Sequence, residues 1–187
     1  YKYELKNDHY LKKILPILDA LNIRYNKQEF IYPKINKTDE NNYSNNILIA
    51  PYVNWEERQL PQSNLVALIN QLLELSTYKI ILVGSSNSME VQYNKQIEAL
   101  VANSRVENQT GLTSLMDISK LINNTKLFIG NDSGPSHIAY LGARKSLVFF
   151  GSTRFEDRIP LNSKLKKNIT CVDSRERCDF FPCYDGL

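Results

Sequence analysis

From Ile47 onward, short apolar runs alternate with longer runs of helical period, and no other feature of the sequence constrains the fold as tightly. The apolar runs are Ile47–Ala50, Lys79–Val83, a segment around Arg105–Glu107, Leu127–Gly130 and Ser146–Phe150. They are too short for helices and mostly lack a polar face, so they read as strands buried on both sides. Between them, Pro61 opens a helix whose stripe is Leu65, Leu68, Ile69, Leu72 and Leu73. Glu90–Val101, Ser114–Ile122 and Pro135–Leu141 supply three more helices. Strand–helix repeats of this kind predict an α/β domain: a parallel sheet with helices on both faces, joined by right-handed crossovers in the Rossmann manner. Ligands of such sheets bind beyond the carboxyl ends of the strands. That rim falls at 51–57, 84–88, 108–113, 131–137 and 151–154.

The flanks read differently. Leu11, Ile14, Leu15, Leu18 and Leu21 recur at helical spacing, with Pro16 set to kink or divide the run. Residues 33–46 are polar and Asn-rich, the composition of a linker or long surface loop. The expected organisation is a helical segment with linker over 1–46, a Rossmann-like domain over 47–155, and a tail over 156–187. All three cysteines, Cys171, Cys178 and Cys183, lie in that tail. An odd count with none in the body points to free thiols in a reducing compartment. The alternative, a metal clip, is one ligand short of a four-coordinate site.

A net charge of +3 is too small for a chain whose main partner is nucleic acid, yet it suits an anionic ligand or a membrane-surface substrate. No apolar run approaches the ~18 residues of a membrane span, and no signal peptide is visible. The chain opens on Tyr1 rather than Met, as a piece of a longer protein would.

One rim turn stands out: Gly130-Asn-Asp-Ser-Gly-Pro-Ser-His137. Gly134 permits close backbone approach, and Pro135 suits a first helical turn. The free N–H groups and dipole of the helix start favour an anion, which Ser133, Ser136 and His137 would also meet with side-chain donors. The competing reading is a capping turn with Asp132 or Ser133 as N-cap and His137 packed in the core. A second turn, Asn54 to Pro61, carries Arg58, which suits a diphosphate. It would otherwise be a solvated arginine paired with Glu56 or Glu57. In a third, Gly111, Leu112 and Thr113 form a tight turn fit to present backbone groups to a base, with Thr113 or Ser114 as a helix cap. Glu90 is placed either for ribose hydroxyls or for its own helix dipole. Gly-x-x-x-x-Gly-Lys-Ser/Thr, Gly-x-Gly-x-x-Gly and Gly-x-Ser-x-Gly are all absent, and His9 and His137 are the only histidines. P-loop, NAD-dehydrogenase, hydrolase and His-rich metal readings lose their basis.

Taken in order, these turns resemble the C-terminal half of glycosyltransferase family 9, the ADP-heptose:lipopolysaccharide heptosyltransferases, over roughly residues 5–155. The family run Gly-x-Asp-Ser/Thr-Gly-x-x-His-x-Ala stands here as Gly130-Asn-Asp-Ser-Gly-Pro-Ser-His-Ile-Ala139. Gly111-Leu-Thr-Ser-Leu and Leu147-Val-Phe-Phe-Gly-Ser-Thr153 are similar to two further family segments. The resemblance implies a GT-B fold in which this half binds a nucleotide-sugar donor, an ADP-sugar, with no cofactor. Ser133, Gly134 and the helix start would hold the diphosphate. Asp132 and His137 would face the donor sugar or its phosphate, and Asn54 and Arg58 the diphosphate side. Gly111 to Thr113 would lie near the base, and Glu90 near ribose. It further implies an inverting transfer of heptose or a related sugar to lipopolysaccharide or another surface glycan, at the cytoplasmic side of the inner membrane. Arg58 replaces the family's lysine, and Ser152 and Arg154 depart from its Gly-Pro-Thr-Asp-Pro. No residue qualifies as the general base, so the expectation is a donor-binding half that is inactive alone. A related branch of protein heptosyltransferases carries cysteine-bound iron near this end, which brings Cys171, Cys178 and Cys183 back as metal candidates. The alternatives are a non-catalytic nucleotide-sugar-binding module, a protein O-heptosyltransferase, and, without the carboxylates it needs, a nucleotide-sugar epimerase.

Overall fold

The computed structural model describes residues 9–13, 15–24, 45–142, 145–173 and 182. The strands are β1 (Asn46–Ala50), β2 (Lys79–Leu82), β3 (Val106–Asn108), β4 (Leu127–Asn131), β5 (Ser146–Phe150) and β6 (Ile169–Asp173). The helices are α1 (Tyr10–Lys13), α2 (Leu15–Ala20), α3 (Gln62–Leu75), α4 (Ser88–Val101), α5 (Leu115–Asn124), α6 (Gly134–Gly142) and α7 (Ser163–Lys166). The strands form one sheet in the order β3-β2-β1-β4-β5-β6, and every pairing is parallel. This is the α/β, Rossmann-like architecture expected from the sequence.

The unbroken apolar character of the central strands follows from having two covered faces. In β1, Ile47 and Ile49 join Leu65, Ile69 and Ile97 of α3 and α4 in one cluster. Leu48 and Ala50 point the other way, to Ile118, Ile122 and Ala139 of α5 and α6. Successive side chains alternate faces, so a strand with helices on both sides has no position left for a polar residue. Each fully buried Ile, Leu or Phe contributes roughly 1.5–3 kcal/mol relative to exposure, so a one-residue slip would forfeit several such contributions.

Three expectations need correction. The sheet does not stop at β5: Ile169–Asp173, in the stretch assigned to the tail, pairs in parallel with Ser146–Phe150. This edge strand alternates half-buried and exposed residues and follows a lysine-rich turn, so it lacks the apolar run that marked the others. In the N-terminal segment the described residues Tyr10–Lys13 and Leu15–Ala20 are helical, and Pro16 sits in the first turn of α2. Of the expected stripe, Leu15 and Leu18 are half-buried but Leu21 is exposed, and the side chains of residues 11 and 14 lie outside the described residues. Pro61 occupies the N-cap position of α3, one residue before the place expected for it. The Asn-rich segment from 33 to 44 lies outside the described residues.

Cys171, on β6, is a free thiol, pushed up to about 12 by burial and by the nearby Glu156 and Asp173. Cys178 and Cys183 lie outside the described residues, among which no group of three or more His, Cys, Asp or Glu is placed to hold a metal ion. No helix among the described residues is long and apolar enough to cross a membrane.

Candidate functional site

β1 and β4 lie side by side at the sheet centre, but the chain leaves β1 toward β2 and leaves β4 toward β5. The two outgoing loops diverge and leave a crevice beyond the carboxyl ends, the usual ligand position in such sheets. Arg58 is on one of these loops and Asp132 on the other. Asn131 stitches them together: its Nδ2 donates to the Pro51 carbonyl at 2.6 Å, and its Oδ1 accepts from the Leu60 N–H at 3.0 Å. The loop after β5 closes a third side. Gly151 packs so tightly on the backbone of Glu57 that any Cβ there would collide with it.

Asp132 sits at the centre, with its side chain only 3% exposed. Thr153 donates its hydroxyl to Oδ2 at 2.8 Å. Arg58 Nη1 lies 3.7 Å from the same oxygen and Arg158 Nε 4.0 Å from it. His137 Nε2 lies 3.9 Å from Oδ1. Two permanent cations thus share one carboxylate, so the cluster keeps an excess of one positive charge at neutral pH. Burial pulls Arg58 below the ordinary guanidinium value, Asp132 pushes it back up, and Arg158 again lowers it. The Nε atoms of both arginines and the Ser133 hydroxyl are buried without a hydrogen-bond partner. Buried donors of this kind are costly unless something accepts from them.

Arg58 is therefore not the solvated arginine paired with Glu56 or Glu57. Its guanidinium is half-buried, stacked 4.0 Å over the Trp55 ring and turned toward Asp132. The capping reading of the β4–α6 turn also fails on two points. Asp132 is committed to Thr153, and the Ser133 hydroxyl has no partner at all. Nor is His137 packed in the core: its side chain is 40% exposed. Burial lowers its pKa, Asp132 partly opposes this, and Arg158 adds to the lowering.

α6 begins at Gly134, where a Cβ would meet nothing within 4 Å. The protein's own packing does not require a glycine there, and the helix start is open to an approaching group. Ser136 is a correction. It is fully buried and its hydroxyl donates to the Asn131 carbonyl at 2.5 Å, so it braces the turn and has no donor free for a ligand. Asn54 is exposed on the β1 loop.

Glu90, Gly111, Leu112 and Thr113 form a second group on the same rim, on the β2–β3 side. Gly111 takes φ +77° and donates its N–H to the Gly84 carbonyl at 3.1 Å, so glycine is needed for the backbone itself. Asn94, buried on α4, donates to Thr110 Oγ1 at 2.7 Å and fixes this loop against the helix. Glu90 accepts from Ser85 at 2.5 Å and lies against Gly84. Leu112 is 80% exposed, and the Thr113 hydroxyl is buried without a partner. Ser114, rather than Thr113, caps α5, in a capping box with Asp117.

Sequence reasoning missed Thr153 and Arg158 as parts of the site. Thr153 was traceable, because it stands at the end of β5, the strand beside β4. Arg158 carries no motif and reaches Asp132 only because a 3-10 turn over Phe155–Asp157 folds the chain back.

Comparison with known proteins identifies the family and the fold. Residues 21–182 match the family model for glycosyltransferase family 9 (heptosyltransferase). The lipopolysaccharide heptosyltransferase 1 of Campylobacter coli is 28% identical over 144 residues, 72% of this chain and 41% of that protein. The chain thus spans less than half the length of this relative. A family 9 glycosyltransferase from Veillonella parvula superposes with a TM-score of 0.69 at 15% identity, covering 90% of this chain and 50% of that one. E. coli heptosyltransferase WaaC is similar in fold in two structures. With ADP the TM-score is 0.62 at 17% identity, covering 74% of this chain and 40% of that one. With ADP-2-deoxy-2-fluoro heptose it is 0.62 at 16% identity, covering 89% and 50%. A sheet with its crevice at the β1–β4 divergence and a family match over most of the sequence lead to one conclusion: the chain belongs to glycosyltransferase family 9, the heptosyltransferases.

Proposed function

We propose that this chain is the donor-binding half of an inverting glycosyltransferase that takes heptose, or a related sugar, from an ADP-sugar. The observation that carries the reading is the Asp132 cluster, with two arginines on one carboxylate and with the Arg58 Nε and the Ser133 hydroxyl buried and unpaired at the crevice. A diphosphate supplies the acceptors these donors lack. WaaC, a relative in fold, is known with ADP and with an ADP-fluoroheptose, which supports adenine and heptose as the donor's parts. In this reading Ser133, Gly134 and the α6 start hold the diphosphate together with Arg58, and Asn54 flanks it. Leu112 offers an apolar face to the base, beside Gly111 and Thr113, and Glu90 lies toward the ribose.

The chemistry follows from charge. An acceptor hydroxyl attacks the anomeric carbon, the bond to the β-phosphate oxygen breaks, and its electron pair leaves with the nucleoside diphosphate. The hydroxyl proton goes to a base on a part of the enzyme other than this half. Negative charge grows on the leaving phosphate, where Arg58 and the positive end of α6 are already oriented to meet it. Because these fixed cations offset that charge, the step runs without a metal, and chelation with EDTA should leave turnover unchanged. The acceptor is a lipopolysaccharide or similar glycan at the cytoplasmic face of the inner membrane.

The test is thermal unfolding of this chain with ADP. Ligand at ~100 times its dissociation constant should add about 2.7 kcal/mol, a rise of roughly 5–11 °C for a chain of this size. Arg58→Gln should abolish most of that shift. No shift in the unaltered protein at millimolar ADP would end the donor-binding reading.

A further inference from the structure

Beside the Asp132 cluster lies a partly open pocket of about 140 Å³, walled by His9, Tyr10, His137, Tyr140, Arg158 and Pro160. It is well below the ~300–1,000 Å³ of sites for drug-sized ligands, and so suits a compact group. Its walls come from three distant stretches that hold one another. His9 Nε2 lies 2.7 Å from the Ile159 carbonyl and fixes the N-terminal segment to the loop after the Phe155–Asp157 turn. Tyr10 stacks on His9 at 4.9 Å and turns its edge to His137 at 6.5 Å. Tyr140 meets the other side of His137 at 5.4 Å.

Among the described residues, Arg158 is the one permanently charged side chain in this wall. Its side chain is 29% exposed, and its Nε is buried with no hydrogen bond. The carboxylate nearest it, Asp132 at 4.0 Å, already serves Arg58 and Thr153. At His9 the charge of Asp157 favours protonation while Lys166 and Lys12 oppose it, and at His137 Asp132 favours it while Arg158 opposes it. Both acids, Asp132 and Asp157, are buried, and Asp157 has partners of its own. Ser133, Gly134 and Arg58 take no part in the lining, so a diphosphate held by them would leave the pocket free.

We propose that this pocket is a second anion subsite, which takes a phosphate or carboxylate substituent of the sugar acceptor, with Arg158 as its main contact. The inference rests on the donor-binding reading, which assigns the donor's own phosphates to the neighbouring cradle. His137 borders both the pocket and Asp132, so an anion bound here lies one side chain away from that cradle.

The experiment titrates inorganic phosphate, and separately glucose 6-phosphate, into the chain already saturated with ADP, by calorimetry. Both should bind, the sugar phosphate at least threefold tighter. Arg158→Gln should weaken both at least tenfold, and Arg158→Lys, which keeps the charge, by less than fivefold. Circular dichroism of each variant checks that it is folded. Exclusion of phosphate by ADP would merge the two sites and overturn the proposal, as would unaltered phosphate binding in Arg158→Gln. Equal affinity for the two probes would overturn the assignment to a glycan substituent. Failure of ADP itself to bind strikes the donor reading, so the two failures are distinct.

Discussion

Gly134→Ala separates a ligand cradle from an ordinary helix start, because the two readings predict different outcomes. The added methyl meets no atom of the protein within 4 Å, and Gly134 is not among the residues with positive φ. The fold should therefore accept alanine and gain about 0.4–1 kcal/mol, mostly by restricting the unfolded chain. For a protein of this size that is a rise of about 1–4 °C in melting temperature. Binding should move the other way. If a phosphate oxygen hydrogen-bonds to backbone at the α6 start, the methyl occupies the approach path and one charge-assisted hydrogen bond is lost. Such a bond contributes ~1.5–3 kcal/mol, so ADP affinity should fall about 10–150-fold. Calorimetry gives the affinity and scanning fluorimetry without ligand gives the stability. Higher stability with unchanged ADP affinity would show that the phosphates do not approach Gly134. A loss of stability beyond about 1 kcal/mol would show that the glycine serves the fold instead.

The same cluster predicts the effect of removing its anion. Asp132→Asn leaves Arg58 and Arg158 facing each other without a counter-charge, and both are partly buried. Discounted for their exposure, the loss should be about 1–3 kcal/mol in urea unfolding, and saturating ADP should recover part of it. An unchanged midpoint would mean that the arginines are solvated. A pH titration of stability reads the two histidines. Burial lowers both His9 and His137 below 6.5, so in the window just beneath that value the unfolded chain binds more protons than the folded one. Stability should therefore fall as pH drops through 6.5 and level off below the folded pKa values. His137→Gln should flatten part of this slope, and a slope identical to that of the unaltered protein would remove His137 from the account.

The parts of the fold that sequence showed clearly are those with one dominant physical constraint. β1, β2, β4 and β5 are apolar because both their faces are covered, and a run such as Ile47–Ala50 admits few other readings. β6 is an edge strand with Thr170 and Val172 facing outward, so its pattern was diluted and its pairing depended on β5 already being in place. The site divides in the same way. Residues just beyond a central strand, such as Asp132 and Ser133, are placed by the strand itself. Ser136 was misjudged because a hydroxyl in a helix's first turn suits a ligand or the backbone equally well, and only the Asn131 carbonyl at 2.5 Å decides between them.

Arg158 marks the boundary of sequence reasoning for a different reason. It lies far from every motif, and its approach to Asp132 depends on the Phe155–Asp157 turn and on the latch between His9 and the Ile159 carbonyl. A charge excess of one at the crevice is therefore built from three parts of the chain: the β1 loop, the β4 loop and the segment beyond β5. No single stretch contains it. The Asp132 carboxylate holds two like charges together that would otherwise repel, and an incoming anion relieves that repulsion as it binds. The crevice thus gains its affinity for anions from an arrangement that costs the free fold some stability.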